Sequence, residues 1–134
     1  MADKNKLQEK YVELQLLSMQ IKQLEEQLNV LDQKAQELVI LRESMRRLGE
    51  LKASAKSLAP IGPGIFVPGT VDPTKGVLIN VGAGVIVNKS FDEAENTINT
   101  QLHQIEDITL ELSNNLRAMA EQAQVTELEI DKLS

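Results

Sequence analysis

A chain of 134 residues is one domain's worth of sequence, and this one carries a net charge of −6 with only 2% aromatic residues. With Tyr11, Phe66 and Phe91 as its only Phe, Tyr or Trp residues, its Leu, Ile, Val and Ala content suits a helical assembly better than a globule filled with large aromatic side chains. The lack of cysteine excludes disulfides, thiol nucleophiles and Cys-based zinc sites, and no apolar run or signal-peptide pattern points to a membrane or secretion, so a soluble cytoplasmic protein is expected.

The first segment, residues 1–56, is nearly charge-balanced at +1 and has a seven-residue rhythm. Leu7, Leu14, Ile21, Leu28 and Ala35 fall on one heptad position, and Leu17, Leu24, Leu31 and Leu38 fall three residues later. Gln, Glu, Lys and Asp fill the gaps, which is the pattern of a coiled-coil seam rather than of a helix lying on a broad core. After Leu38 the apolar spacing moves to Leu41, Met45 and Leu48, which predicts a three-residue insertion that overwinds the coil. Gly49 weakens the helix, whose end is expected between Leu48 and Lys56. Continuous from Lys4, such a helix is ~70 Å long.

All four prolines and six of the seven glycines fall between Leu58 and Phe91. Gly permits positive φ, while Pro fixes φ and removes a donor, so the chain reverses here between two helices. Residues 57–89 divide into four short strands at Ser57–Ile61, Ile65–Val71, Val77–Val81 and Val85–Asn88. Turns are expected at Gly62-Pro63-Gly64, Asp72-Pro73-Thr74-Lys75 and Gly82-Ala83-Gly84. Pro68 marks an edge or a bulge. Two β-hairpins of this size are marginal alone, and their unpaired edges invite other chains, so an oligomer held through this β unit is inferred.

The last segment, residues 90–134, opens on Ser90-Phe91-Asp92-Glu93, a capping box. Asp92, Glu93 and Glu95 suit the positive end of the helix dipole. Its seam runs Phe91, Ile98, Ile105, Leu112, Met119 with Leu102, Thr109, Leu116, Ala123, and thins toward Ile130 and Leu133. Residues 91–134 carry −8, which disfavours nucleic acid as a partner because phosphate contacts need clustered Lys and Arg. The one basic cluster, Arg42, Arg46, Arg47, Lys52 and Lys56, has an internal use. If the two helices pair antiparallel, with partners whose numbers sum to about 138, the three arginines face Asp92, Glu93 and Glu95. Lys4, Lys6 and Lys10 then face Glu127, Glu129 and Asp131. Such pairs set register and orientation more than stability.

Catalytic chemistry finds little support. The glycine pairs open no helix in a βαβ unit and lack a Gly-Lys-Ser/Thr, so they read as hairpin turns and not as a phosphate cradle. His103 is the only histidine and the chain has no cysteine, so neither a metal site nor a triad is expected. The carboxylates read as helix surface. No enzyme activity, cofactor or metal is expected. Near the chain ends, Tyr11, Val12, Val125, Leu128, Ile130 and Leu133 exceed what a two-stranded seam consumes. They are either an exposed apolar interaction site or ordinary packing of fraying ends.

This plan resembles the alpha-class prefoldin subunit of archaea. The resemblance is densest at Ala59-Pro60-Ile61-Gly62-Pro63-Gly64, Phe66-Val67-Pro68-Gly69, the run from Val77 to Val87 with its Val-Gly-Ala-Gly turn, and Ser90-Phe91-Asp92-Glu93-Ala94. It implies an α+β, mostly α fold: an antiparallel two-helix coiled coil joined by two β-hairpins that pair with other subunits in a β-barrel platform. It also implies a hexamer of two alpha-type and four beta-type subunits, with coiled-coil tips that hold non-native proteins without ATP and pass them to a group II chaperonin. Carried onto this sequence, the tip residues are Leu7, Tyr11, Leu14, Val125, Leu128 and Leu133. The assembly residues are Ile61, Ile65, Val67, Val71, Leu78, Ile79, Val81, Val85 and Val87. Residue patterns alone leave two other readings open: a coiled-coil adaptor for one helical partner, and a self-assembling scaffold that holds no client.

Overall fold

A computed structural model describes residues 2–51 and 55–134. The order is α1 (Ala2–Gly49), β1 (Ala55–Gly62), β2 (Ile65–Val71), a 3-10 turn (Pro73–Lys75), β3 (Val77–Gly82), β4 (Val85–Lys89) and α2 (Phe91–Leu133). The chain packs as two units: Met1–Ala35 with Gln104–Ser134, and Gln36–His103.

The first unit is a helix pair closed by the heptad seam. Leu17, Ile105 and Ile130 are buried, and Leu14, Ile21, Leu28, Leu112 and Leu116 are half-buried beside them. The row on α2 does not thin after Ala123, because Thr126 fills the next seam position at 2% exposure. Its hydroxyl is satisfied by donating to the Gln122 carbonyl at 3.0 Å, so a polar residue sits in the seam without an orphaned group. The antiparallel register is fixed by Lys10, whose Nζ lies 2.6 Å from Glu129 Oε2.

The second unit joins the helices to the hairpins. Met45, Ala94 and Ile98 form its core, with Leu38, Val77, Ile79, Phe91 and Leu102 packed around them. The expected three-residue slip does not occur. The heptad continues through Leu38, Arg42 and Met45, while Leu41 stays 47% exposed. Apolar spacing misleads here because Arg42 takes the seam position, and its Nη1 donates to Asn99 Oδ1 at 2.9 Å across the pair. One turn on, Arg46 grips Glu95 Oε1 through Nε at 2.8 Å and Nη2 at 2.7 Å. Arg47 instead approaches Glu43 on its own helix at 4.0 Å. Lys52 lies outside the described residues, and Lys56 stands exposed on β1. α1 ends at Gly49, which lies against the Phe91 ring at the start of α2. Ser90 caps α2 by accepting from the Glu93 N–H at 3.1 Å.

The two hairpins are separate two-stranded antiparallel sheets, β1 with β2 and β3 with β4. β1 opens at Ala55 rather than Ser57. The first turns at Pro63-Gly64, with Gly64 at φ 72, as a type II turn requires of its third residue. The second turns at Ala83-Gly84 with φ 50 and 75, the two positive values of a type I′ hairpin. Each carries a bulge just before its turn, at Ile61 and at Val81. Between the hairpins, Asp72 accepts from the Thr74 N–H at 3.0 Å and from its hydroxyl at 2.6 Å, which starts the 3-10 turn.

Candidate interaction surfaces

The seam decides which apolar residues near the chain ends are available. A heptad position that faces the partner helix spends its surface there, and Leu7, Leu14 and Leu133 are half-buried in this way. Ile130, which the sequence leaves as surplus, is 6% exposed for the same reason once Thr126 completes the row. Tyr11, Val12, Val125 and Leu128 lie off the seam and are more than half exposed. The expected six-residue set therefore divides into three seam residues and three exposed ones, Tyr11, Val125 and Leu128. Leu16 and Met19 are equally exposed and escape a reading tuned to the seam. The signal for them is present: with Val12 they recur at four and three residues on the helix face away from the seam.

The charge beside this surface is organised by Lys10. It contacts Glu129 at 2.6 Å and Glu13 at 3.4 Å, and the hydrogen bond to Glu129 raises the Lys10 pKa above its ordinary value. Further along the first unit, an open groove of about 700 Å³ is lined by Gln23, Glu26, Gln27, Val30, Leu31, Ile108 and Leu112.

The hairpins present a second surface. Strand alternation puts Leu58, Pro60, Phe66 and Pro68 on one face of β1–β2 and Ala59, Ile65 and Val67 on the other. All of these are exposed, so this hairpin shows apolar groups on both sides. Ile61 sits at the bulge, 68% exposed, and Val71 is half-buried. In β3–β4 the faces differ. Val77, Ile79 and Val87 are half-buried, and Val77 and Ile79 pack on the chain's own helical core. Leu78 and Ile86 on the other face are exposed, as are Val81 and Val85 near the turn. The structure thus places Ile79, expected to contact another subunit, against Met45, Ala94 and Ile98 of its own chain. Leu58, Phe66 and Ile86 belong with the exposed set, and their alternation within each strand is the signal that finds them.

Among the described residues no group of His, Cys, Asp and Glu is placed to hold a metal ion, and no helix is long and apolar enough to cross a membrane.

Comparison with known proteins gives these surfaces a context. A family profile described as Prefoldin subunit matches residues 17–134. The prefoldin subunit alpha of Methanopyrus kandleri is 30% identical over 123 residues, covering 87% of this chain and 78% of that protein. The prefoldin subunit alpha of Archaeoglobus fulgidus is 25% identical over 130 residues, covering 97% and 95%. A chain from a cryo-EM structure of filamentous PFD from Methanocaldococcus jannaschii superposes with a TM-score of 0.76 at 18% identity, covering 89% of this chain and 98% of that one. At that identity the likeness is one of fold.

Proposed function

The chain belongs to the prefoldin subunit family, with archaeal alpha subunits among its relatives, and from that premise we propose that it is the alpha-type subunit of an ATP-independent holding chaperone. In this reading two copies assemble with four beta-type subunits through the hairpins, in the cytoplasm. The coiled coils hold non-native proteins near their chain ends and release them to a group II chaperonin. The chain is a binder and not an enzyme.

The observation that carries this reading is the exposure of Tyr11, Val12, Val125 and Leu128 beside a seam that is already complete without them. Each is more than half exposed, and exposed apolar patches mark interaction sites. Each is a small contact, so affinity for an unfolded chain comes from several arms acting at once. Linking weak contacts raises the effective concentration of the next one to about the millimolar range. Release then needs no nucleotide, because each contact is lost and remade singly.

The test is aggregation of a chemically unfolded protein diluted into buffer with the native assembly and without ATP. Suppression at near-stoichiometric assembly is expected. Replacing Tyr11, Val125 and Leu128 together by Ser should remove suppression and leave the mass of the assembly unchanged. Full suppression by that variant would show that these residues are not the site. Substitution is a cleaner test than trimming the chain ends, since removal of residues 125–134 also takes Thr126 and Ile130 from the seam. One observation favours a second reading, a self-assembling scaffold: the fold matches a chain from a filamentous assembly. That reading expects the purified chain to form long polymers alone, whereas the holding chaperone needs a second kind of subunit to complete its assembly.

A further inference from the structure

We propose that the groove midway along the helix pair of the first unit docks a cationic amphipathic helix of another protein, which lies along the pair as a local third strand. The floor of the groove is apolar. Leu31 and Leu112 are half-buried seam residues, and Val30 and Ile108 flank them at 63% and 45% exposure. The register set by Lys10 and Glu129 brings Val30 level with Ile108 on the facing helix, so the two belong to one patch. A two-stranded seam does not call for Ile108. Every seventh residue from it along α2 is polar: Gln101, Asn115, Gln122 and Glu129. An apolar residue at this flanking position widens the stripe beyond what one partner helix covers, which is how a helix pair accepts a third.

The chemistry of the surface selects the occupant. Both walls are α-helix, whose backbone groups are already paired along their own chains. An extended segment finds no main-chain partner there and would leave its own N–H and C=O groups unpaired against an apolar floor, whereas a helix arrives with its backbone satisfied. Charge then fixes the flanks of that helix. Residues 20–35 and 104–116 carry two Lys against six Asp and Glu, a balance of −4. Glu26 lines the groove on the α1 side, and Glu111 stands exposed one turn from Ile108 on the α2 side. Lys or Arg beside the apolar stripe of the incoming helix meets these carboxylates, and Asp or Glu there is repelled. The groove's α1 residues, from 23 to 31, span ~12 Å, about two turns, so the contact is small and its binding weak. None of Tyr11, Val125 and Leu128 lines it, and the proposal stands whether or not the chain holds unfolded clients.

The test is fluorescence anisotropy of a dye-labelled helical peptide, about 18 residues or five turns long, added to the full chain at low salt. The peptide is built of Leu, Ala and Lys, with Leu recurring at three and four residues and Lys on both flanks. Its counterpart carries Glu in place of Lys. The Lys peptide should bind roughly tenfold more tightly than the Glu peptide. Val30→Ser with Ile108→Ser should weaken the Lys peptide roughly fivefold, and so should Glu111→Lys. Glu121→Lys makes the same change of charge on α2 about 15 Å further along and should weaken it less than about twofold. Replacing Tyr11, Val125 and Leu128 together by Ser should leave its affinity within about twofold. Equal binding of the two peptides, equal loss from Glu111→Lys and Glu121→Lys, or loss through the Tyr11, Val125 and Leu128 variant in place of the Val30 and Ile108 variant overturns the proposal. All the substituted residues are exposed, and helical circular dichroism confirms that each variant folds. Suppression of aggregation, measured on the same variants in the native assembly, reports on the proposed function separately.

Discussion

At the scale of single residues, the connection between the hairpins depends on backbone chemistry. Gly76 has φ 77, and a Cβ there would lie 2.3 Å from the Lys89 carbonyl oxygen. Because the obstacle is backbone, no rotamer change relieves it. Gly76→Ala is expected to cost more than about 1 kcal/mol, from strain at positive φ together with displacement of β4. A lowered midpoint in chemical denaturation is the readout; an unchanged midpoint would mean that the turn relaxes freely. Asp72 gives this same turn a pH dependence. Its hydrogen bonds from the Thr74 hydroxyl and N–H hold its carboxyl below the ordinary carboxylate value of 3.8. A group with a depressed folded-state pKa stabilises above its unfolded value and loses that contribution as pH falls through the folded one. The native chain should therefore lose part of its stability below pH 3.8, whereas Asp72→Asn should lose less over that window. Parallel pH profiles for the two proteins would show that the carboxylate does not anchor the turn. For Lys10 the sign reverses. Its raised pKa means that the Glu129 pair stabilises up to pH 10.5 and is lost above it.

At the scale of elements, the sequence carried most of the helix-pair fold, because a heptad needs only apolar spacing to be seen. It failed where a seam position is polar. Arg42 and Thr126 interrupt the apolar rhythm, so the first mimics a slip and the second a thinning row, although the packing continues through both. The long side chain of Arg42 reaches Asn99, and the hydroxyl of Thr126 returns to its own helix, so neither leaves a burial penalty that would break the register. The hairpins were legible from their glycines and prolines. Which face of β3–β4 turns inward was not, since alternation offers two faces and only the position of Met45 and Ala94 chooses Val77 and Ile79. The exposed set near the chain ends was half legible for a related reason: Leu7, Leu14 and Leu133 are spent in the seam. A prediction follows from the polar seam. Thr126→Val keeps the shape, removes a hydroxyl that bonds only a carbonyl already inside the helix, and adds apolar burial. It should stabilise the helix pair by roughly 1 kcal/mol, read as a higher thermal midpoint. A lower midpoint would mean that the bond to Gln122 contributes more than the methyl does.

At the scale of the whole molecule, the chain exposes 10414 Å², whereas a compact monomer of 14.9 kDa exposes about 7,000 Å². Part of the exposed apolar surface lies on β1–β2, whose two faces are both exposed and which contributes no side chain to the helical core formed around Met45, Ala94 and Ile98. β3–β4, by contrast, is tied to that core through Val77 and Ile79. The hairpins therefore have different duties: β3–β4 is fastened to its own helices, and β1–β2 is free to be covered by other chains. Phe66→Asp and Val67→Asp, on opposite faces of β2, separate these duties. Each places a charge where an assembled neighbour must desolvate it, and an unpaired buried carboxylate costs far more than an exposed one. Both variants should fail to enter the assembly, seen as a fall in native mass, and both should keep the helical circular dichroism of the parent, because neither residue touches the helical core. Loss of assembly from only one variant would mean that β1–β2 is covered on one face and wet on the other. Retained mass in both would move the assembling surface to the outer face of β3–β4, where Leu78 and Ile86 stand exposed.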